Sequence, residues 1–221
     1  MKIAAIIPVR KGSQRVISKN SRPFSNSTLL DIRLTLLKEV KGLDHIIVNT
    51  DCEICKNIAL SHGIEVTERD PYYTSSTVPT HEVIKHLAET SPGDAFFWSM
   101  ITNPFLKKST IEKSIERFRK GDIDSMVSVS PEKKFLLLDD KPVNFDPNNF
   151  SNSQLLPDMT SLNFAMSITR KDIAIEKEFY VGNTPLFTLL DKIQSIDIDD
   201  EEDFMIAEAL FNKLGMDWVL S

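Results

Sequence analysis

Short apolar runs of strand length alternate with helix-length segments along most of the 221 residues, and this alternation restricts the chain to few architectures. The first run, Ile3-Ala4-Ala5-Ile6-Ile7-Pro8-Val9, reads as a buried strand because nothing polar interrupts it. Further strands are expected over 45–50, 95–101, 125–129, 162–168 and 194–198. Helices are expected over 28–38, from a cap at Asp51 to about 61, and over 80–89, 109–119 and 201–214. Strands and helices interleaved in this way predict an open α/β sheet with helices on both faces. Ligands of such sheets sit at the polar turns that follow the strands. Residues 132–161 break the rhythm with Lys, Asp, Asn, Pro and Ser. They are expected to form a small arm or lid inserted in a single domain spanning 1–221, an ordinary surface loop being the other reading.

Charge narrows the function classes. The formal net charge is −6, against the basic surface that nucleic-acid binding usually needs, although a single nucleotide remains compatible with it. Locally the balance reverses: Lys2, Arg10, Lys11, Arg15, Lys19 and Arg22 crowd the N-terminus, and no acidic residue precedes Asp31. No apolar run is long enough to span a membrane, and the opening has no signal-peptide pattern, so no membrane insertion and a cytoplasmic location are expected. Cys52 and Cys55 form one C-x-x-C without a second pair to complete a zinc site, and packing is the expected role. His81 and His86 are five apart and miss the usual helical metal spacing. Phe96, Phe97 and Trp98 are expected to pack in a strand.

The turn after the first run carries chemistry of its own. Gly12 permits a tight turn whose N–H groups approach phosphate, and Ser13 adds a hydroxyl donor. Arg10 and Arg15 offer planar forks to phosphate oxygens, and Lys19 a mobile point charge. Asn20 suits a base edge or a brace for the loop. A solvated basic turn is the competing reading. The turn matches neither the phosphate-loop ATPase pattern nor a dinucleotide-binding glycine motif. Near the other terminus, Asp197 and Asp199 fall two apart on a candidate strand, which would put both carboxylates on one face. Such a pair repels unless a cation sits between, and magnesium fills that role while contacting phosphate. A simple cap for the next helix is the alternative, and Asp200, Glu201 and Glu202 are expected to serve that helix start.

Ile6-Ile7-Pro8-Val9-Arg10-Lys11-Gly12-Ser13, with Lys19-Asn20, resembles the signature loop of the acylneuraminate cytidylyltransferases. Asn49-Thr50-Asp51, Thr74-Ser75-Ser76 with Val83-Ile84, and Ile196-Asp197-Ile198-Asp199-Asp200-Glu201-Glu202-Asp203-Phe204 resemble later motifs of that family, in order and over nearly the whole chain. The resemblance implies a Rossmann-like nucleotidyltransferase fold, with a mixed, mostly parallel sheet between helices, and a homodimer. It implies transfer of CMP from CTP to a nonulosonic acid or related acidic sugar, with Mg2+, by in-line attack on the α-phosphorus and release of pyrophosphate. Such products feed surface glycans such as lipopolysaccharide or capsule. By resemblance, Arg10, Ser13 and Lys19 contact CTP phosphates, with Arg15 a further nominee, and Asn20 and Ser76 contact the cytidine portion. Asp197 and Asp199 hold magnesium. Arg10, Lys19 and the two aspartates are the catalytic set.

Two departures bear on the acceptor. A frequent Gln-Pro-Thr-Ser-Pro segment is here Met100-Ile101-Thr102-Asn103-Pro104, and Met100 lacks the amide of that glutamine. A frequent Asn-Gly-Ala is here Asn163-Phe164-Ala165. Thr102, Asn103, Gln154 and Asn163 are the sugar-side nominees, and Lys107 is expected to be ordinary surface charge. The departures leave open a shorter ulosonate or a phosphonate as acceptor, and a non-catalytic sugar-nucleotide-binding or assembly protein.

Overall fold

The protein is represented by a computed structural model, which describes residues 1–12, 15–75, 77–149 and 151–221. In chain order the elements are β1 (Ile3–Val9), β2 (Pro23–Phe24), β3 (Ser27–Thr28), α1 (Leu29–Glu39), β4 (His45–Thr50), α2 (Glu53–Ser61), β5 (Glu65–Glu68), a 3-10 turn (Pro71–Thr74), α3 (Thr80–Thr90), β6 (Ala95–Trp98), α4 (Lys108–Phe118), β7 (Ser125–Glu132), β8 (Leu137–Leu138), β9 (Lys141–Pro142), a second 3-10 turn (Ser153–Leu155), β10 (Met159–Arg170), α5 (Lys171–Lys177), β11 (Pro185–Leu189) and α6 (Glu201–Leu220).

Among the described residues the main sheet has seven strands in the order β11-β7-β10-β6-β1-β4-β5. β10 runs antiparallel to both its neighbours, β6 and β7, and every other pairing is parallel. The unbroken apolar run of β1 follows from its central place. Ile3, Ala5, Ile7 and Val9 enter a core shared with α1, α4 and α6, whereas Ala4 and Ile6 enter a second core with α3 and α5. A strand covered on both faces has no face left for polar residues. Of residues 132–161, Glu132 still belongs to β7 and 159–161 already belong to β10, paired with it; the stretch between them carries the β8–β9 hairpin.

The helix starts follow capping chemistry. Thr28 caps α1 by accepting from the Asp31 N–H at 3.1 Å. Asp200 and Asp203 form a reciprocal capping box at the start of α6. Asp51 does not cap α2 as expected. Cys52 occupies that position without a side-chain bond, and Asp51 instead accepts from the Lys11 N–H at 2.7 Å. The expected end of the last helix at 214 coincides with a break in α6, where Gly215 leaves helical geometry at φ 65.

The expected strand over 194–198 does not form. Residues 192–195 turn, and 196–199 have no regular secondary structure and no ladder partner among the described residues. The sheet edge beside β7 is taken by β11. No described helix is long and apolar enough to cross a membrane.

Candidate functional site

The site lies where β1, β4 and β6 end, as the open α/β architecture predicts. The loop after β1 is anchored by Val16, which is fully buried in the core, and by a turn in which the Ser21 and Arg22 N–H groups donate to the Ser18 carbonyl. Gly12 has φ 78, and among the described residues, its chain neighbours apart, nothing approaches within 4 Å of the place a Cβ would occupy. The left-handed backbone and the open space beside it leave room for a ligand to reach main-chain N–H groups. Asn20 braces this loop by donating from Nδ2 to the Arg10 carbonyl at 2.9 Å. Of its two expected roles, base contact or brace, the geometry occupies the second. Ser13 and Ser76, both nominated for CTP, lie outside the described residues.

Lys19 is buried rather than free at the surface. Its Nζ donates to the Ile198 carbonyl at 2.6 Å, joining the basic loop to the acidic segment. Burial pulls its pKa below the ordinary lysine value, while the charges of Asp197 and Asp199 oppose that shift. Arg15 pairs with the Asp199 carboxylate at 2.7 Å. Their side chains are 70% and 54% exposed, so solvent screens the pair and it can open at little cost. Arg22 grips Glu201 at the start of α6 and lies over the Phe204 ring at 4.3 Å.

Asp197 differs from Asp199 in environment, contrary to the single strand face expected for them. Its Oδ1 is buried and without a hydrogen-bond partner among the described residues, whereas Asp199 is exposed. Burial raises the Asp197 pKa, and Asp199 raises it further. A hydrogen bond from the Thr102 side chain and the charge of Lys19 oppose this. A buried, orphaned carboxylate oxygen beside a second carboxylate is suited to a cation. Among the described residues no cluster of three or more His, Cys, Asp or Glu completes a metal site from protein alone. That donor set fits magnesium, which usually takes one or two carboxylates and completes its shell with phosphate and water.

Thr102 and Asn103 hold the acidic segment in place of a ladder. The Thr102 carbonyl accepts from the Ile198 N–H at 3.0 Å, and Asn103 Nδ2 donates to the Ile196 carbonyl at 3.1 Å. Asn163 sits in an irregular stretch of β10, between Leu162 and Ser167. It bonds Ser128, donates to Ser130 Oγ at 2.8 Å and reaches Ser195 Oγ at 3.2 Å. Thr102, Asn103 and Asn163 thus meet the segment that leads to the aspartates. Gln154 lies apart from them, exposed on the second 3-10 turn. Lys107, expected as ordinary surface charge, stacks its ammonium 3.7 Å above the Trp218 ring.

Beside the loop, a cavity of about 260 Å³ is lined by Arg10, Arg69, Tyr73, Ser75, Trp98 and Met100 among others. The Trp98 indole N–H donates to Met100 Sδ at 3.1 Å. Arg10 Nη1 donates to the Thr74 carbonyl and Arg69 Nε to the Tyr73 carbonyl, so both guanidinium groups are fixed by main chain. Burial lowers the Arg69 pKa, an effect that nearby Asp51 opposes. Sequence reasoning missed Arg69. The signal would have been its place at the end of a strand, but β5 reads Glu-Val-Thr-Glu and has no apolar run to mark it.

A parallel-rich sheet carrying a basic loop, bonded through Lys19 and Arg15 to a segment with paired carboxylates, defines a nucleotidyltransferase of Rossmann-like fold. The solved structure of CMP:2-keto-3-deoxy-manno-octonic acid synthetase complexed with CTP has this fold, with a TM-score of 0.71 and 11% identity over 96% of this chain and 99% of that one. The chain belongs to the cytidylyltransferase family, whose model matches residues 4–154, in its acylneuraminate-type branch, and is a CTP-dependent nucleotidyltransferase. It is 30% identical to the CMP-N,N'-diacetyllegionaminic acid synthase of Legionella pneumophila, over 95% of this chain and 96% of that protein. It is 27% identical to an N-acylneuraminate cytidylyltransferase of Streptococcus agalactiae over 93% of this chain, and there it spans 52% of the relative's length.

Proposed function

We propose that the protein transfers CMP from CTP to a nonulosonic acid or a related acidic sugar and releases pyrophosphate. The observation that carries this reading is the buried, orphaned Asp197 Oδ1 beside Asp199 and Lys19, joined through the Lys19–Ile198 bond to the loop that holds Arg10 and Gly12. The Legionella relative, a CMP-N,N'-diacetyllegionaminic acid synthase, and the Streptococcus relative, an N-acylneuraminate cytidylyltransferase, support the acceptor class.

In this reading Arg10, Ser13 and Lys19 face the CTP phosphates, and Asn20 holds the loop in the shape that receives them. Ser76 contacts the cytidine portion, and Thr102, Asn103, Gln154 and Asn163 serve the sugar side. Arg15 leaves Asp199 for a phosphate oxygen when the nucleotide arrives, because the pair it leaves is exposed and weak. Asp197 and Asp199 hold magnesium, which when bound neutralises charge on the phosphates and makes the α-phosphorus more electrophilic. A sugar hydroxyl oxygen then attacks the α-phosphorus in line as the bond to pyrophosphate breaks, and the hydroxyl proton passes to solvent. Such a step needs positioning and electrostatics more than a protein nucleophile.

Segment 132–161 acts as an arm or lid of a single domain, and the working form is a homodimer in the cytoplasm. Exposed Leu137, Leu138 and Leu155 give the arm apolar surface suited to covering a neighbour. Met100, which lines the cavity beside the loop, and Phe164, which packs on Tyr180 in the same apolar cluster, favour a second reading of the acceptor, a shorter ulosonate or a phosphonate, because each replaces a residue of the resembling motifs. Incubation with CTP, Mg2+ and a panel of nonulosonic acids, shorter ulosonic acids and aminoalkyl phosphonates, followed by mass detection of the adduct, tests the reading. A CMP adduct of a nonulosonic acid is expected. An adduct confined to another class would overturn the acceptor assignment, and no adduct despite CTP binding would favour the non-catalytic role.

A further inference from the structure

Arg33 is among the largest fully buried side chains in the protein. It projects from α1, whose other inward residues, among them Leu29, Leu30, Leu34 and Leu37, are aliphatic. No salt bridge involves it among the described residues, and its Nη1 is buried without a hydrogen-bond partner. Burial alone pulls its pKa down, to about 10. A guanidinium in that place is costly, and a leucine or methionine would fill the space without an orphaned donor.

Its side-chain hydrogen bond among the described residues shows what the position does. Arg33 Nη2 donates to the Asn103 carbonyl at 2.6 Å. Asn103 Nδ2 in turn donates to the Ile196 carbonyl, and the Thr102 carbonyl accepts from the Ile198 N–H. These two bonds hold the residues on either side of Asp197. Residues 196–199 have no ladder among the described residues, so these bonds and Lys19 from the other side hold them, together with the burial of Ile198 and the bond from the Asp199 N–H to Asp203. We infer that Arg33 is a positioning residue for the metal site: from inside α1 it fixes the carbonyl of Asn103, and through residues 102 and 103 it sets where the Asp197 carboxylate stands. This rests on the reading of Asp197 and Asp199 as the magnesium pair.

Arg33→Met and Arg33→Lys test the inference, with Asp197→Asn as control. Two readouts are taken: amide hydrogen exchange at Ile198, and the Mg2+ concentration that half-saturates CTP turnover. In Arg33→Met, Ile198 exchange should accelerate and half-saturating Mg2+ should rise about ten-fold, the scale of losing an outer support of a metal ligand. kcat at saturating Mg2+ should change less, and exchange within β1 should stay as in the wild type. Arg33→Lys, which restores one donor and the charge, should recover part of both effects. Unchanged Ile198 exchange and Mg2+ dependence in Arg33→Met would overturn the inference. If Arg33→Met does not fold, Arg33→Gln, polar but too short to reach the carbonyl, takes its place with the same expectations. If Asp197→Asn leaves the Mg2+ dependence intact, the metal reading itself fails and the inference falls with it. Accelerated Ile198 exchange in Arg33→Met would then separate that failure from a failure of the hydrogen-bonded path.

Discussion

Phe164 adopts φ 51, in the left-handed region that a bulky side chain rarely enters. The backbone turns there because β10 changes register between Leu162 and Ser167, and Asn163 Oδ1 closes the irregularity by accepting from the Ala165 N–H at 3.1 Å. This explains why the related motif so often has glycine, which takes that conformation without strain. Here the ring compensates by packing against Phe179 and Tyr180, with centroids 6.0 and 5.5 Å away. Phe164→Ala keeps the strain and loses the ring, whereas Phe164→Gly loses the ring but relieves the strain. The glycine variant should therefore be more stable than the alanine variant by about 1 kcal/mol, measured by urea unfolding. Equal stabilities, or the reverse order, would count against a strained backbone. The departure from glycine was visible in the sequence. The conformation that gives it meaning was not, because it arises from pairing with β6 and β7. Lys19 teaches the same lesson: its charge was legible, but its burial against Ile198 comes from a segment 179 residues away.

At the scale of elements, the strongly apolar strands were legible and the weakly marked ones were not. β1, β4, β6 and β7 are central or well covered and announce themselves by composition. β5 and β11 are edge strands, and β11 opens on Pro185, which reads as an interruption. The alternation Ile196-Asp197-Ile198-Asp199 imitates a strand because Ile198 is fully buried beneath it, yet the segment pairs with none. β11 is placed instead by the turn before it, which Asp124 organises. Its carboxylate accepts from the Asn183 and Thr184 N–H groups at 2.7 and 3.0 Å. Burial pushes the Asp124 pKa up, but those N–H groups and the Ser125 hydroxyl push it down further, and the net shift is downward. A depressed carboxylate pKa contributes stability that is present above the ordinary value of 3.8 and is lost as pH falls through the depressed value. Asp124→Asn should lose about 1–3 kcal/mol at neutral pH. The gap in Tm between wild type and variant should narrow as pH falls below 3.8. A gap that stays constant with pH would rule out the ionised carboxylate as the source.

Across the whole molecule, the charge polarity read from the sequence becomes a spatial arrangement. The basic loop after β1 and the acidic segment before α6 lie at opposite ends of the chain, and the sheet brings them into contact through Lys19–Ile198 and Arg15–Asp199. Their types and order were readable because a cluster of cations suits phosphate and a pair of carboxylates suits a metal. The supports were unreadable: Arg33 beneath Asn103, Arg69 beside Arg10, and the cavity that Met100 lines depend on packing between elements distant in sequence. The most direct test of the account is pyrophosphate release from CTP in the presence of a nonulosonic acid, with Mg2+ titrated, for the wild type, Asp197→Asn and Asp199→Asn. The wild type should need both Mg2+ and the acceptor, and each variant should lose more than about 100-fold in rate, beyond the range for an outer-shell residue. Release that proceeds without Mg2+, or variants that match the wild-type rate, would contradict the assignment of the two aspartates and the reaction built on them.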